Sequence, residues 1–113
     1  MSIPFTHPYQ RFNRVIKLDN EVIAGITATV YSWDVMEIEV VWVKENFRHK
    51  GYATALLQDM EQRAKEMKCN LIHLDTFDFQ AKGLYEKVGY TVFGTLEDCP
   101  KGHKRYYMSK KIN

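Results

Sequence analysis

The chain has 113 residues, enough for one domain with a single core. Its 16 Lys and Arg against 14 Asp and Glu leave a formal net charge of +2, which is too mild to indicate a nucleic-acid or membrane surface. A hydrophobic fraction of 45% excludes a disordered chain. The longest apolar stretch is far short of the roughly 20 residues of a membrane-spanning helix, and the N-terminus has no signal-peptide pattern. We therefore expect one cytoplasmic domain over residues 1–113, with neither nucleic acid nor membrane as a partner.

Cysteines and histidines are too scattered to predict a metal site. Cys69 and Cys99 belong to no Cys-x-x-Cys pair, which fits free thiols in a reducing compartment. The 4 His have no i,i+4 spacing and no Cys or carboxylate cluster beside them. We expect a protein without a metal.

The first part of the chain has the alternating pattern of β-strands. Strands are predicted over Phe12–Leu18, Val22–Tyr31 and Val35–Val43, with turns at 19–21 and 32–34. Connections this short favour an antiparallel meander.

The period changes at Gly51, where a helix begins that ends near Lys68. Its apolar stripe consists of Ala53, Leu56, Leu57, Met60, Ala64 and Met67. A short buried strand follows over Asn70–Thr76. Strand, helix and strand form a right-handed crossover, which makes strands 35–43 and 70–76 parallel.

A second helix follows, with Asp78 as its N-cap and Gly89 as its left-handed C-cap. Its apolar face is formed by Ala81, Leu84, Tyr85 and Val88. Then come a strand over Tyr90–Phe93, a surface loop over 95–103 that includes His103, and a closing strand over Lys104–Ile112. The predicted fold is α/β of the α+β type: a mixed, mostly antiparallel sheet with a central parallel βαβ crossover and helices on its faces.

The junction between the third strand and the long helix carries the strongest functional signal. Arg48, His49 and Lys50 precede Gly51 where the helix starts. The first N–H groups of a helix are unpaired and attract anions, so this junction predicts a phosphate or pyrophosphate site. Gly51 lets the backbone approach the anion, and Ala53 keeps the first turn uncluttered. The alternative is an ordinary turn with a solvated basic triplet; neither a P-loop nor a dinucleotide fingerprint is present.

Two motifs resemble the signatures of the GCN5-related N-acetyltransferase (GNAT) family. Residues 48–53, Arg-His-Lys-Gly-Tyr-Ala, match Arg/Gln-x-x-Gly-x-Gly/Ala, and Val41-Trp42-Val43 fits the strand before that motif. Residues 78–90 resemble the second signature, Asn-x-x-Ala-x-x-Leu-Tyr-x-x-x-Gly-Phe, with Asp78 in place of Asn. The motifs lie at the family's usual distance, and the resemblance covers residues 12 to 112.

The resemblance implies acetyl-CoA as cosubstrate, without a metal. The pantetheine arm would pair with the third strand in a V-shaped cleft between two splayed parallel strands, and the pyrophosphate would lie on the N–H groups of residues 49–54. The implied cofactor-binding residues are Val41, Trp42, Val43, Arg48, His49, Lys50, Gly51, Tyr52, Ala53, Thr54, Asp78 and Lys82.

Acetyl transfer to an amine needs a base for the ammonium group, whose pKa is near 10, and a proton donor for the departing thiolate. The resemblance assigns the donor role to Tyr85; a core tyrosine is the alternative. Glu37 and Glu39 are the candidate bases. They share parity with Val41 and Val43, so alternation puts all four on one face unless a bulge intervenes. A solvent-facing carboxylate or a water chain remains the alternative.

The resemblance implies an N-acetyltransferase that acts on an amine of a small molecule or protein by direct attack in a ternary complex. The rival hypothesis is a CoA-binding module without turnover that has lost its acceptor site. Family members usually begin with a strand and one or two helices that form a wall of that site, whereas only about eleven residues precede Phe12. We therefore expect Phe12–Leu18 at a sheet edge and a homodimer whose partner supplies part of the wall; a monomer covered by its first residues is the alternative.

Overall fold

The computed structural model describes residues 9–31 and 33–112. Within them, one sheet has the order β1-β2-β3-β4-β6-β5, and only β3 and β4 pair in parallel. Its strands are β1 Gln10–Leu18, β2 Glu21–Val30, β3 Val35–Val43, β4 Leu71–Phe77, β5 Thr91–Glu97 and β6 Lys104–Lys111. The helices are α1 Tyr52–Glu66 and α2 Lys82–Lys87, with a 3-10 turn at Glu45–Phe47. The predicted mixed, mostly antiparallel sheet with a parallel crossover is confirmed, and β1 lies at its edge.

The β1–β2 hairpin turns on two residues in the left-handed region. Asp19 has φ 52° and Asn20 has φ 67°, and Asp and Asn tolerate this conformation better than other non-glycine residues. The predicted turn is therefore confirmed. The predicted reversal at 32–34 includes residue 32, which lies outside the described residues.

The core lies between the sheet and α1. The predicted stripe of α1 is buried at Leu56, Leu57, Met60 and Ala64, and it packs on alternate residues of β2 and β3. From the other helix, the carbonyl of Val88 accepts a hydrogen bond from Lys110 on the same face of the sheet. Both helices thus cover one side, and we call the opposite side the open face.

The C-terminal end of α2 is the one predicted. Gly89 adopts φ 103°, its N–H donates to the Glu86 carbonyl at 3.1 Å, and the Tyr90 N–H donates to the Tyr85 carbonyl at 3.0 Å. This pair of bonds is a Schellman motif, for which glycine is favoured because it bears no Cβ.

The predicted N-cap of α2 is wrong. Ala81, not Asp78, precedes the first helical residue, and no side chain caps it. The chain first makes a turn in which Gln80 Oε1 accepts the Phe77 N–H at 3.1 Å, so the helix begins later. The Asp78 carboxylate instead accepts the Lys104 backbone N–H at 2.9 Å.

Strand β5 is longer than predicted. Residues 95–97 were expected in a loop, but they pair with β6 through Thr95↔Tyr106, Leu96↔Arg105 and Glu97↔Lys104. Cross-strand pairing outweighs the local turn signal here. The loop is confined to 98–103, and His103 in it is exposed, as expected.

A bulge in β3 separates the residues predicted to share one face. Thr27 pairs with Val40 and Ala28 pairs with Ile38, which leaves Glu39 as the extra residue. Beyond the bulge the parity is reversed, so Val41 and Val43 pack against the core while Glu37 lies on the open face. The two glutamates and the two valines therefore do not share one face, because the bulge that the prediction named as its exception is present.

Candidate active site

The sheet opens between its two parallel strands. β3 and β4 pair at Val35↔Leu71, Met36↔Ile72 and Glu37↔His73. Within residues 9–31 and 33–112, the two strands form no further pair. Beyond that point, residues 38–43 of β3 and 74–77 of β4 are not paired with each other, and we call the space between these unpaired segments the cleft. Backbone groups along this edge of β3 therefore have no strand partner and could pair with an extended ligand, except the Val43 carbonyl, which accepts Arg48 Nε.

The start of α1 lies beside the open end of the cleft and has no side-chain cap. Gly51 is the N-cap with φ 87°, and its carbonyl accepts the Ala55 N–H at 3.0 Å. Ala55 is the first residue of α1 whose N–H bonds within the helix. The N–H groups of Tyr52, Ala53 and Thr54 come before it and have no intrahelical partner. The positive φ requires glycine or costs strain, and the helix start is left free to receive an anion.

Three basic side chains surround this helix start, and all are exposed. The Arg48 Nε donates to the Val43 carbonyl at 3.0 Å, and Lys50 Nζ lies 5.6 Å from the centre of the Phe47 ring. His49 has φ 64°. The predicted phosphate-binding stretch is thus folded back onto the end of β3, with its positive charge around the N-terminus of α1.

Tyr85 is only 8% exposed and belongs to the core. Its ring lies 6.1 Å from that of Tyr90 at 73°. Burial raises the pKa of Tyr85, and the Asp75 carboxylate raises it further. A phenol held protonated in this way can serve as a proton donor.

Lys110 of β6 links α1 to the C-terminal end of α2, the helix that carries Tyr85. Lys110 Nζ lies 2.5 Å from Glu61 of α1 and donates to the Val88 carbonyl at 2.8 Å. Burial alone would raise the pKa of Glu61, but the ammonium groups of Lys110 and Lys65 outweigh burial and lower it. An open groove of about 620 Å³ separates the two helices above this bridge.

The two candidate bases have different surroundings. Glu39 accepts hydrogen bonds from Arg11 Nη2 and from the Thr29 hydroxyl, both at 3.1 Å. Glu37 accepts the Tyr31 hydroxyl, and no described Lys or Arg forms an ion pair with it. Burial, together with this hydrogen bond to Glu37, raises the pKa of Tyr31. Glu39 is therefore neutralised by a guanidinium, whereas Glu37 is held by a hydroxyl that stays protonated.

Asp78 and Lys82, both predicted to contact the cofactor, make contacts within the chain. The Asp78 carboxylate binds the Lys104 N–H and His103 Nδ1, each at 2.9 Å, and these groups lower its pKa. Lys82, the first residue of α2, lies 3.3 Å from Glu86 and 5.0 Å from the centre of the Tyr106 ring. Asp78 therefore contacts the end of the 98–103 loop and the start of β6, whereas Lys82 lies at the start of α2.

Residues 9–31 and 33–112 contain neither a metal-binding cluster nor a membrane-spanning helix. No group of three or more His, Cys, Asp or Glu side chains there could hold a metal ion. None of the helices in that part is long and apolar enough to cross a membrane. Cys69 and Cys99 are free thiols, as expected.

Sequence reasoning missed the partners of the carboxylates. Tyr31, Thr29 and Arg11 hold them, and the ring of His73 lies 5.9 Å from that of Tyr31. The short connection between β2 and β3 carried the necessary signal. A tight antiparallel hairpin places the end of β2 beside the start of β3, so Tyr31 must lie near Glu37.

Several known proteins that are similar to this chain are acetyltransferases. The model of the acetyltransferase (GNAT) family matches residues 3–90. Blasticidin-S acetyltransferase of Streptomyces morookaense is 30% identical over 93 residues, which are 81% of this chain and 68% of that protein. The crystal structure of an acetyltransferase from Bacillus cereus has a TM-score of 0.92 at 37% identity, covering 99% of this chain and 80% of that chain. An aminoglycoside 6′-N-acetyltransferase solved with coenzyme A shares the fold, with a TM-score of 0.82 at 19% identity over 91% of this chain and 73% of that chain.

Proposed function

The chain belongs to the acetyltransferase (GNAT) family and is an acetyl-CoA-dependent N-acetyltransferase, and from this premise we propose that it acetylates its acceptor by direct attack in a ternary complex, without a metal. The observation that carries the proposal is the cleft between β3 and β4 beside the uncapped start of α1. A relative named for blasticidin-S favours a small-molecule amine over a protein amine or a nucleic acid.

The proposed cofactor site uses mainly backbone groups. The pantetheine arm extends the sheet along Val41, Trp42 and Val43, where the edge of β3 faces the cleft. The pyrophosphate lies on the N–H groups of residues 49–54, which comprise His49, Lys50, Gly51, Tyr52, Ala53 and Thr54. Arg48 and Lys50 add positive charge, and Lys82 adds a further cation at the start of α2. Asp78 acts indirectly, by fixing the β4–α2 junction to the Lys104 backbone.

The proposed chemistry assigns each proton to a residue. Glu37 accepts a proton from the acceptor ammonium, and the free amine attacks the acetyl carbonyl carbon. A backbone N–H of β3 near Val43 stabilises the oxyanion. As the C–N bond forms and the C–S bond breaks, the departing thiolate takes the Tyr85 proton. The second proton of the acetylated nitrogen passes through water to the Tyr85 phenolate, which restores the phenol. Glu37 is preferred to Glu39 because no described cation neutralises it.

Two-substrate initial-rate kinetics test this mechanism. Direct attack requires both substrates to be bound at once, so double-reciprocal plots against acetyl-CoA at several amine concentrations should intersect. Parallel lines would indicate a covalent acetyl-enzyme and would refute the ternary complex. CoA binding without any amine-dependent turnover would instead support the rival hypothesis, a CoA-binding module that lacks an acceptor site.

The pyrophosphate site predicts a specific loss of CoA binding in Gly51→Val. A ligand present at a hundredfold its Kd stabilises the native state by about 2.7 kcal/mol, which raises the Tm measurably. The β-branched side chain resists the φ of 87° at Gly51 and would stand where the anion approaches. Differential scanning fluorimetry with and without CoA should therefore give almost no shift for this variant.

Gly102 provides a matched control for Gly51. It has φ 83°, and neither glycine has an atom within 4 Å of an added Cβ, so Gly102→Val carries the same backbone strain in the 98–103 loop. Its Tm without ligand should fall about as much as that of Gly51→Val, but its CoA-induced shift should persist. A full shift in Gly51→Val would refute the pyrophosphate assignment.

We also propose a homodimer formed through β1. Its outer edge has no strand partner among the described residues, and Val15 and Leu18 on it are exposed; unpaired edges and apolar patches favour pairing with another chain. Multi-angle light scattering at micromolar concentration should give twice the 13.3 kDa chain mass. A concentration-independent mass of one chain would reject the dimer.

Free thiols support a cytoplasmic location, which we propose for this enzyme. Cys69 and Cys99 form no disulfide, as is usual in a reducing compartment.

A further inference from the structure

One wall of the cleft carries an exposed tryptophan with a fixed position. Trp42 lies on the open face and is 42% exposed. Its indole covers Gly25, where an added Cβ would lie 2.7 Å from the indole Nε1. Val15, exposed on β1, pairs with Gly25 in the same row. Glycine at position 25 thus leaves the space that the indole occupies against the backbone of β2.

The other wall carries a second exposed aromatic side chain that is also fixed. Phe79, 59% exposed, stacks on Phe77 with 5.2 Å between ring centroids and 7° between planes. The His103 ring meets Phe79 edge-on at 5.1 Å, and His103 is itself held by the Asp78 carboxylate at 2.9 Å. Two aromatic surfaces are therefore pre-positioned, one at the end of each strand that bounds the cleft.

One carboxylate without a described cationic partner lies deeper in the cleft than these two walls. Because β3 and β4 are parallel, Trp42 and Phe77 lie at the same, open end of the cleft. Glu37, which no described cation neutralises, lies where the strands part. The Asp75 carboxylate on the facing strand is paired with Arg105 at 2.9 Å. The open face thus presents apolar rings with an uncompensated carboxylate beyond them.

On these grounds, and resting on the proposed function, we propose that the acceptor is a cationic amine with a flat, apolar body, which binds on the open face between Trp42 and Phe79. A planar ring gains contact with aromatic faces at little entropic cost, and its ammonium group meets the carboxylate of Glu37. A small hydrophilic amine would satisfy only the carboxylate. The aromatic walls therefore act as specificity determinants, distinct from the groups that move protons.

The test compares amines that differ only in their bodies. Wild-type kcat/KM is measured for phenethylamine, 2-cyclohexylethylamine and ethanolamine with saturating acetyl-CoA. Phenethylamine should exceed ethanolamine by at least roughly tenfold, and it should exceed the saturated ring by roughly 2–10-fold, the range of aromatic pair energies. In Trp42→Leu, and separately in Phe79→Leu, the phenethylamine-to-ethanolamine ratio should fall roughly 3–10-fold.

Phe93 is the matched control. It is 65% exposed on the edge strand β5, which β6 separates from β4, and Phe93→Leu should leave the ratio unchanged. Turnover with a wild-type ratio near one, or a ratio that neither cleft variant alters, would overturn this inference and leave the acetyltransferase function standing. A lower solution mass in Trp42→Leu would identify the surface as a contact between chains and would also overturn it. Failure of wild type on every amine would remove the proposed function, and this inference with it.

Discussion

Replacing Tyr85 by Phe should lower turnover by roughly 10²–10⁴-fold while CoA affinity stays close to that of the unchanged protein. The substitution keeps the ring in the core and removes only the hydroxyl that protonates the departing thiolate. Because the pKa of Tyr85 is raised, the hydroxyl should remain protonated beyond the usual tyrosine value near 10. The kcat profile of the unchanged protein should therefore show no loss from tyrosine ionisation below that pH.

Tyr90 provides the control for Tyr85. It is buried beside Tyr85, and its hydroxyl is buried without a hydrogen-bond partner in the described structure. Tyr90→Phe removes the same group from the same cluster, at little cost because the hydroxyl has no described bond to lose. Its turnover should stay near that of the unchanged protein. If the two variants have equal, full activity, Tyr85 is a core residue and no proton donor.

Replacing Glu37 by Gln should also lower kcat/KM by roughly 10²–10⁴-fold at neutral pH. The amide can still accept the Tyr31 hydroxyl but cannot take a proton from the acceptor. The residual rate should rise with pH, by about tenfold per unit below the amine pKa near 10, because the free-base fraction of the acceptor rises. A pH series of kcat/KM measures this dependence.

The variant Glu39→Gln distinguishes the role of Glu39 in catalysis from that of Glu37. Glu39 is bound by Arg11 and Thr29, so its loss should cost less activity than that of Glu37. The reverse order would transfer the base role to Glu39. Little effect from either variant would indicate that a chain of water molecules accepts the proton.

Local chemistry made most of the fold predictable. The Asp19–Asn20 turn, the stripe of α1 and the glycine at the end of α2 each obey a short-range rule, and the crossover then fixes the parallel pair. The N-cap of α2 could not be predicted in this way, because the partners of Asp78, His103 and Lys104, lie more than twenty residues away. The extension of β5 likewise depends on pairing with β6.

The start of α1 was more predictable than the two faces of β3. The uncapped helix start at Gly51 follows from neighbouring residues. The bulge at Glu39, by contrast, is a mismatch between two strands that no single-strand pattern contains. It moves Val41 and Val43 onto the core face and leaves the carboxylates on the other. The contact between Trp42 and Gly25 also joins two strands, so it depends on the register between β2 and β3.

Amine-dependent thiol release from acetyl-CoA would demonstrate directly that this chain transfers acetyl groups to amines. The purified chain is incubated with acetyl-CoA and each member of a panel of primary amines, free CoA thiol is followed by a colorimetric reagent, and the acetylated amine is identified by mass spectrometry. We expect thiol release that depends on the amine and equals the amount of acetylated amine formed. A chain that binds CoA, as judged by its thermal shift, yet forms no acetylated amine with any member of the panel would contradict this expectation.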